Sequence, residues 1–134
     1  MKILLIDDDH LFNFTAEKLL TEMGHDIIAA ENGLFGIHLA TLYTPDLILS
    51  DYNMPGLNGK EIFLKLKDNP KTCNILFVIV SGRLSLKEKA NLLTIGVLDV
   101  LEKPIDLHIL QNRIVYQLSN FLENSIGCHL SSTN

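Results

Sequence analysis

A doubly wound α/β domain, with a five-stranded parallel sheet between helix layers, is predicted by two observations. Short apolar runs alternate with longer segments of helical period along the 134 residues. The richest runs, "ILLI" at Ile3–Ile6 and "ILFVIV" at Ile75–Val80, are apolar at consecutive positions, as strands are when both faces are covered. Right-handed crossovers then place helices on both sides of the sheet.

In chain order, the strand Ile3–Ile6 ends in Asp7-Asp8-Asp9 and leads into a helix from Asp9 or His10 to Met23, with Gly24 at its stop. Asp26–Ala30 is the second strand. Its helix opens at Asn32, a good cap, and ends before Thr44-Pro45. Leu47–Ser50 is the third strand, followed by a helix from Asn58-Gly59 that ends before Asn69-Pro70. The fourth strand, Ile75–Val80, precedes a helix from Ser85 to Ile95, where Ser85 and Glu88 form a capping box and Gly96 stops the helix. Val97–Leu101 is the fifth strand. The last helix starts near Asp106 and aligns Leu107, Leu110, Ile114, Leu118 and Phe121 on one face. Residues 1–122 are expected to form the domain and 123–134, "ENSIGCHLSSTN", a fraying C-terminal tail with no room for a second domain.

Eleven basic against sixteen acidic residues give a net charge of -5, which argues against direct nucleic-acid binding. Cys73 and Cys128 have neither metal-ligand nor redox spacing. Only four apolar residues follow Met1-Lys2, and no stretch reaches spanning length, so no signal peptide or membrane segment is expected. A soluble cytoplasmic protein is the expectation.

Ligands of open parallel sheets bind at the carboxyl ends of the strands. That edge collects Asp7 and Asp8 from the first strand, Asp51 from the third, Ser81 from the fourth and Lys103-Pro104 after the fifth. Two carboxylates ~5 Å apart repel by roughly 3 kcal/mol at an effective dielectric near 20. Either one stays protonated or a cation sits among them. Hard oxygen donors without Cys or His select Mg²⁺, or Mn²⁺, over zinc and copper. An aspartate in such a cup can attack phosphorus and form an acyl phosphate, with Lys103 and Ser81 on the phosphoryl oxygens. No G-x-x-x-x-G-K-[ST] or G-x-G-x-x-G sequence cradles a nucleotide, so the phosphoryl donor is expected on a partner. Each motif alone has a plainer reading: Asp9 as a helix cap, Ser81-Gly82 as a turn, and Asp46, Asp99 and Asp106 as surface or capping residues.

"ILLIDDD", "DLILSDYNMPGLNG", "ILFVIVSG" and "LEKPI", in this order over residues 2 to 120, resemble the receiver domain of two-component response regulators. The resemblance implies a flavodoxin-like (βα)5 fold with strand order 2-1-3-4-5. It implies phosphorylation of Asp51 by a histidine kinase or a histidine phosphotransfer protein. Asp8 and Asp51 would ligate Mg²⁺ directly, with the Asn53 carbonyl, and Asp7 through water. Ser81 and Lys103 would contact the phosphoryl group, and Pro104 matches a cis-proline site. Output would run through the face of the fourth helix, fifth strand and fifth helix to a downstream protein target, from a monomer or a phosphorylation-dependent dimer. With no effector following in these residues, a stand-alone switch is expected, not a turnover enzyme.

Val100, Ile105 and Asn58 depart from that family's pattern, and Asn53 and Arg83 border the path of a water attacking the acyl phosphate. Val100 stands where many receivers carry an aromatic relay residue; it has few χ1 options and no ring to swing. Arg83, two after Ser81, is placed to shield the acyl phosphate from water. A metal-dependent phosphatase with an aspartyl nucleophile is a competing class, but its nucleophile would lie on the first strand and a cap would be needed. An unphosphorylated receiver-like interaction module is the third class; it usually lacks one of the acids, the hydroxyl or the lysine.

Overall fold

The computed structural model describes residues 1–114 and residue 116. Two compact units divide the chain, Met1–Pro104 and one beginning at Ile105.

The first unit holds β1 (Lys2–Ile6), α1 (His10–Glu22), β2 (Asp26–Ala30), α2 (Gly33–Tyr43), β3 (Leu47–Ser50), α3 (Gly59–Lys67), β4 (Leu76–Ser81), α4 (Leu86–Ile95) and β5 (Asp99–Glu102). All strand pairs are parallel, in the order β2-β1-β3-β4-β5. This is the doubly wound arrangement that the consecutive apolar runs predict. Ile3, Leu4, Leu5 and Ile6 are all fully buried, so β1 faces protein on both sides. Alternation along the strands splits the core in two. Leu4, Ile6, Ile48 and Ile79 join one cluster with Ala40 of α2, Ile62, Phe63 and Leu66 of α3 and Leu92 of α4. Ile3 and Leu5 point the other way, toward the side on which α1 buries Ala16 and Leu20.

The caps fall as the residue types demand. Asp9 accepts from the Leu11 and Phe12 N–H groups, Asn32 from Phe35 N–H, and Asn58 from Glu61 N–H in a full capping box. Ser85 and Glu88 form the second box, and Gly96, at φ 115°, closes α4.

Two strands start later than their apolar runs. Ile75 N–H closes a turn on Thr72 O, so β4 begins at Leu76 and includes Ser81. Val97 N–H bonds back to Leu92 O to terminate α4, and β5 begins at Asp99. Burial alone does not make a strand when the backbone bonds are spent on a helix end. Asp99 is likewise buried and not at the surface, with its carboxylate accepting from its neighbour Val100 N–H.

In the second unit, residues 107–114 are helical. Asp106 caps them by accepting from His108 N–H. Leu118, Phe121, the boundary at 122 and the tail 123–134 lie outside the described residues. No helix among the described residues is long and apolar enough to cross a membrane.

Candidate functional site

Ladder bonds continue one residue past the strand ends and fix the site. Asp7 N–H bonds Ala30 O at 3.1 Å, Asp51 N–H bonds Ile6 O at 2.8 Å, and Lys103 N–H bonds Ser81 O at 2.7 Å. Each backbone is therefore held by the neighbouring strand. The side chains converge on the carboxyl edge of the sheet, where β1 and β3 are adjacent although α1 and α2 intervene in sequence.

One carboxylate oxygen from each of Asp7, Asp8 and Asp51 lies within 4.8 Å of the others. Asp7 and Asp51 are buried, while Asp8 is exposed at the rim. Lys103 Nζ donates to Asp7 Oδ2 at 2.6 Å, and its ammonium lies 4.4 Å from the centroid of the Phe12 ring. Asp7 is held further by Asp9 N–H on Oδ1 and by Asn13 Nδ2 on its carbonyl. Three carboxylates and one ammonium leave two negative charges in the cup.

Asp51 responds to this crowding. Burial pushes its carboxyl up from the ordinary value of 3.8, and the charge of Asp7 adds to the rise. Lys103, the Tyr52 N–H at 2.8 Å and the nearby Ser81 hydroxyl pull the other way without cancelling it. Ser81 Oγ is buried and makes no hydrogen bond of good geometry, although it lies close enough to affect Asp51. A buried hydroxyl without a partner is costly, and a ligand oxygen placed against it would remove that cost.

The residues fit a hard divalent cation. The donors are all oxygens, they are already gathered, and the charge left over matches the ion. Asp7, Asp8 and Asp51 are the groups placed to hold it.

The remaining residues singled out in the sequence fall around this cup. Asn53 is exposed in the loop after β3, and Arg83 is exposed in the loop after β4. Val100 is half-buried in β5 and packs against the main core. The Lys103–Pro104 bond is cis.

Three features of the site were not read from the sequence. Phe12 floors Lys103. Asn13 binds the Asp7 carbonyl from α1; its signal was a polar residue at an apolar position, since Asn13, Ala16 and Leu20 are the buried residues of that helix. Gly59 allows the loop after Asp51 to close: a Cβ there would stand 2.8 Å from Asp51 O and 2.7 Å from Ile79 Cδ1.

The family model described as response regulator receiver domain matches residues 3–115. Protein PilH of Pseudomonas aeruginosa is 34% identical over 78% of this chain and 87% of its own length. The protein named "Probable transcriptional regulator ycf29" of Pyropia yezoensis is 32% identical over 84% of this chain, which spans about half (53%) of that relative. The crystal structure of a response regulator from Desulfuromonas acetoxidans superposes with a TM-score of 0.80 at 34% identity, covering 88% of this chain and 96% of that one.

Proposed function

Since the chain belongs to the response regulator receiver domains, we propose that it takes a phosphoryl group onto Asp51 from a phosphohistidine of a kinase or phosphotransfer protein. The observation that carries this reading is the cup itself: Asp51 buried beside Asp7 and Asp8, with Lys103 and an unpartnered Ser81 hydroxyl around it.

A carboxylate oxygen of Asp51 forms the new bond to phosphorus as the bond to the imidazole nitrogen breaks. Tyr52 N–H holds Oδ1 and so orients the other oxygen, Oδ2, for attack. Lys103 leaves Asp7 for the incoming phosphoryl oxygens, and Ser81 Oγ donates to another of them. Mg²⁺, when held by Asp8, Asp51 and the Asn53 carbonyl, with Asp7 through water, would offset the carboxylates and the phosphoryl charge. Arg83 covers the phosphoryl group against water and sets its lifetime.

The product is a covalent switch and not a turnover enzyme. Ser81 closes β4 and only four residues separate it from α4, so drawing Ser81 toward phosphorus biases the loop between them. Val100 pairs with Ile79 in the β4–β5 ladder and has no ring to turn inward. The shift is therefore carried by the loop and α4, without an aromatic relay on β5.

Incubation with Mg²⁺ and acetyl phosphate, followed by intact mass measurement, tests the reading. One base-labile phosphoryl adduct is expected on the wild type and none on Asp51→Asn. An adduct that survives Asp51→Asn would overturn it.

A further inference from the structure

We propose that the outer face of α2 is a self-association surface, occupied by a second copy of this chain packed antiparallel about a two-fold axis at His38. The helix sequence, "GLFGIHLATLY", holds no Asp, Glu, Lys or Arg. The other helices of the sheet unit carry several each, as surface helices normally do. Yet α2 is not buried: Leu34 is 72% exposed, Leu42 61%, Phe35 48% and Tyr43 46%.

Leu34, Phe35 and Leu42 fall on one stripe, with Tyr43 turned further round the helix. Leu34, His38 and Leu42 are four residues apart, and Phe35 lies beside them, seven before Leu42. The Phe35 ring stacks on His38 with centroids 6.2 Å apart. The two leucines are symmetric about His38, each four residues from it. A reversed copy centred there sets Leu34 of each chain against Leu42 of the other.

The ends of the stripe favour the reversed orientation. Glu31, exposed just before α2, marks its N-terminal end and accepts from His10 at 3.0 Å. Lys2 marks the C-terminal end, with Nζ 3.5 Å from Tyr43 O and 5.8 Å from the Tyr43 ring centroid. Asp46 also lies at that end, with its carboxylate taken by Lys2 N–H. Antiparallel pairing opposes the helix dipoles, and it brings Glu31 of each copy toward the end of the other that holds Lys2 and Asp46, which together carry no net charge. Parallel pairing would set like ends together.

At about 200 Å² for each large side chain, the exposed parts amount to ~450 Å² per copy. Two copies bury at most about 900 Å², below the roughly 1,200 Å² of standard specific interfaces, so the dimer is a weak and reversible one.

Sedimentation velocity from about 1 μM to 1 mM tests this, because the range reaches concentrations at which weak, reversible dimers form. The wild type should pass from monomer to dimer, and Asp51→Asn should do the same, which separates this surface from phosphoryl acceptance. His38→Glu and His38→Lys should each stay monomeric at the highest concentration, and their equimolar mixture should dimerise, because position 38 meets itself across the axis. Leu86→Glu, at a more exposed leucine on α4, should leave association unchanged. Melting curves establish that each variant is folded. Should a charged variant fail to fold, oxidative cross-linking of His38→Cys supplies the same test, with a 38–38 linked dimer expected. A wild type that stays monomeric, a mixture of the two charged variants that stays monomeric, or a Leu86→Glu that dissociates the dimer would each overturn the proposal.

Discussion

Lys103 is paired with Asp7 and not with Asp51: its ammonium donates to Asp7 Oδ2 at 2.6 Å while resting over Phe12. The lysine thus neutralises the most buried of the three acids and leaves Asp51 open for chemistry. In this state it is parked one carboxylate away from where a phosphoryl group on Asp51, as proposed, would need it.

Replacing Lys103 by Met keeps the apolar stem over Phe12 and removes only the charge. Asp7 is then buried without its partner, which costs about 3 kcal/mol. Chemical denaturation should show that loss in the absence of Mg²⁺ and a partial recovery when Mg²⁺ is added. Phosphorylation by acetyl phosphate should fall by at least about a hundredfold, a loss of roughly 3 kcal/mol of transition-state stabilisation.

Asp51 makes stability depend on pH in a fixed direction. Its native carboxyl titrates above its ordinary value of 3.8, so the folded state holds that proton more tightly than the unfolded chain. The cost is absent below about 3.8, grows as pH rises through the native value, and is complete above it. Asp51→Asn should therefore melt higher than the wild type at neutral pH, with the difference shrinking as pH falls toward 3.8. Saturating Mg²⁺ should reduce or reverse the neutral-pH difference, because it stabilises the wild type by about 2.7 kcal/mol at a hundredfold excess over Kd. Calorimetric scans with and without Mg²⁺ check both signs.

Gly59→Ala tests the backbone that carries the acceptor. Its Cβ would press on Asp51 O at 2.8 Å and Tyr52 Cα at 3.1 Å, which are main-chain atoms that cannot rotate away. A loss of about 1–3 kcal/mol is expected from urea unfolding. A slower phosphorylation rate should accompany it, since Asp51 is displaced from its neighbours.

Arg83→Ala should shorten the lifetime of the acyl phosphate by about fivefold, or ~1 kcal/mol of barrier, with the rate of phosphorylation little changed. The decay of the adduct after removal of acetyl phosphate measures it.

The fold was legible because its signals are local. The runs at β1 and β4 are too apolar for a one-sided sheet, and Asn32, Asn58 and Ser85 cap helices where their types predict. The gathering of Asp7, Asp8 and Asp51 was legible too, since each acid ends an apolar run and the winding rule brings those ends together. What escaped was tertiary. The choice of Asp7 as the partner of Lys103 depends on side-chain reach across four strands. The use of Phe12 and Gly59 depends on which atoms lie opposite them, and no spacing in the chain encodes that. The starts of β4 and β5 were displaced for a similar reason: Ile75 and Val97 are apolar, but their N–H groups serve a turn and a helix end.

The most direct test is a crystal structure of the protein with Mg²⁺ and beryllofluoride. The account predicts beryllium on an Asp51 carboxylate oxygen, the cation against Asp7, Asp8 and Asp51, Ser81 Oγ donating to one fluorine, and Lys103 moved from Asp7 to another. Beryllofluoride bound elsewhere, or Lys103 and Ser81 both turned away from a group seated on Asp51, would contradict it.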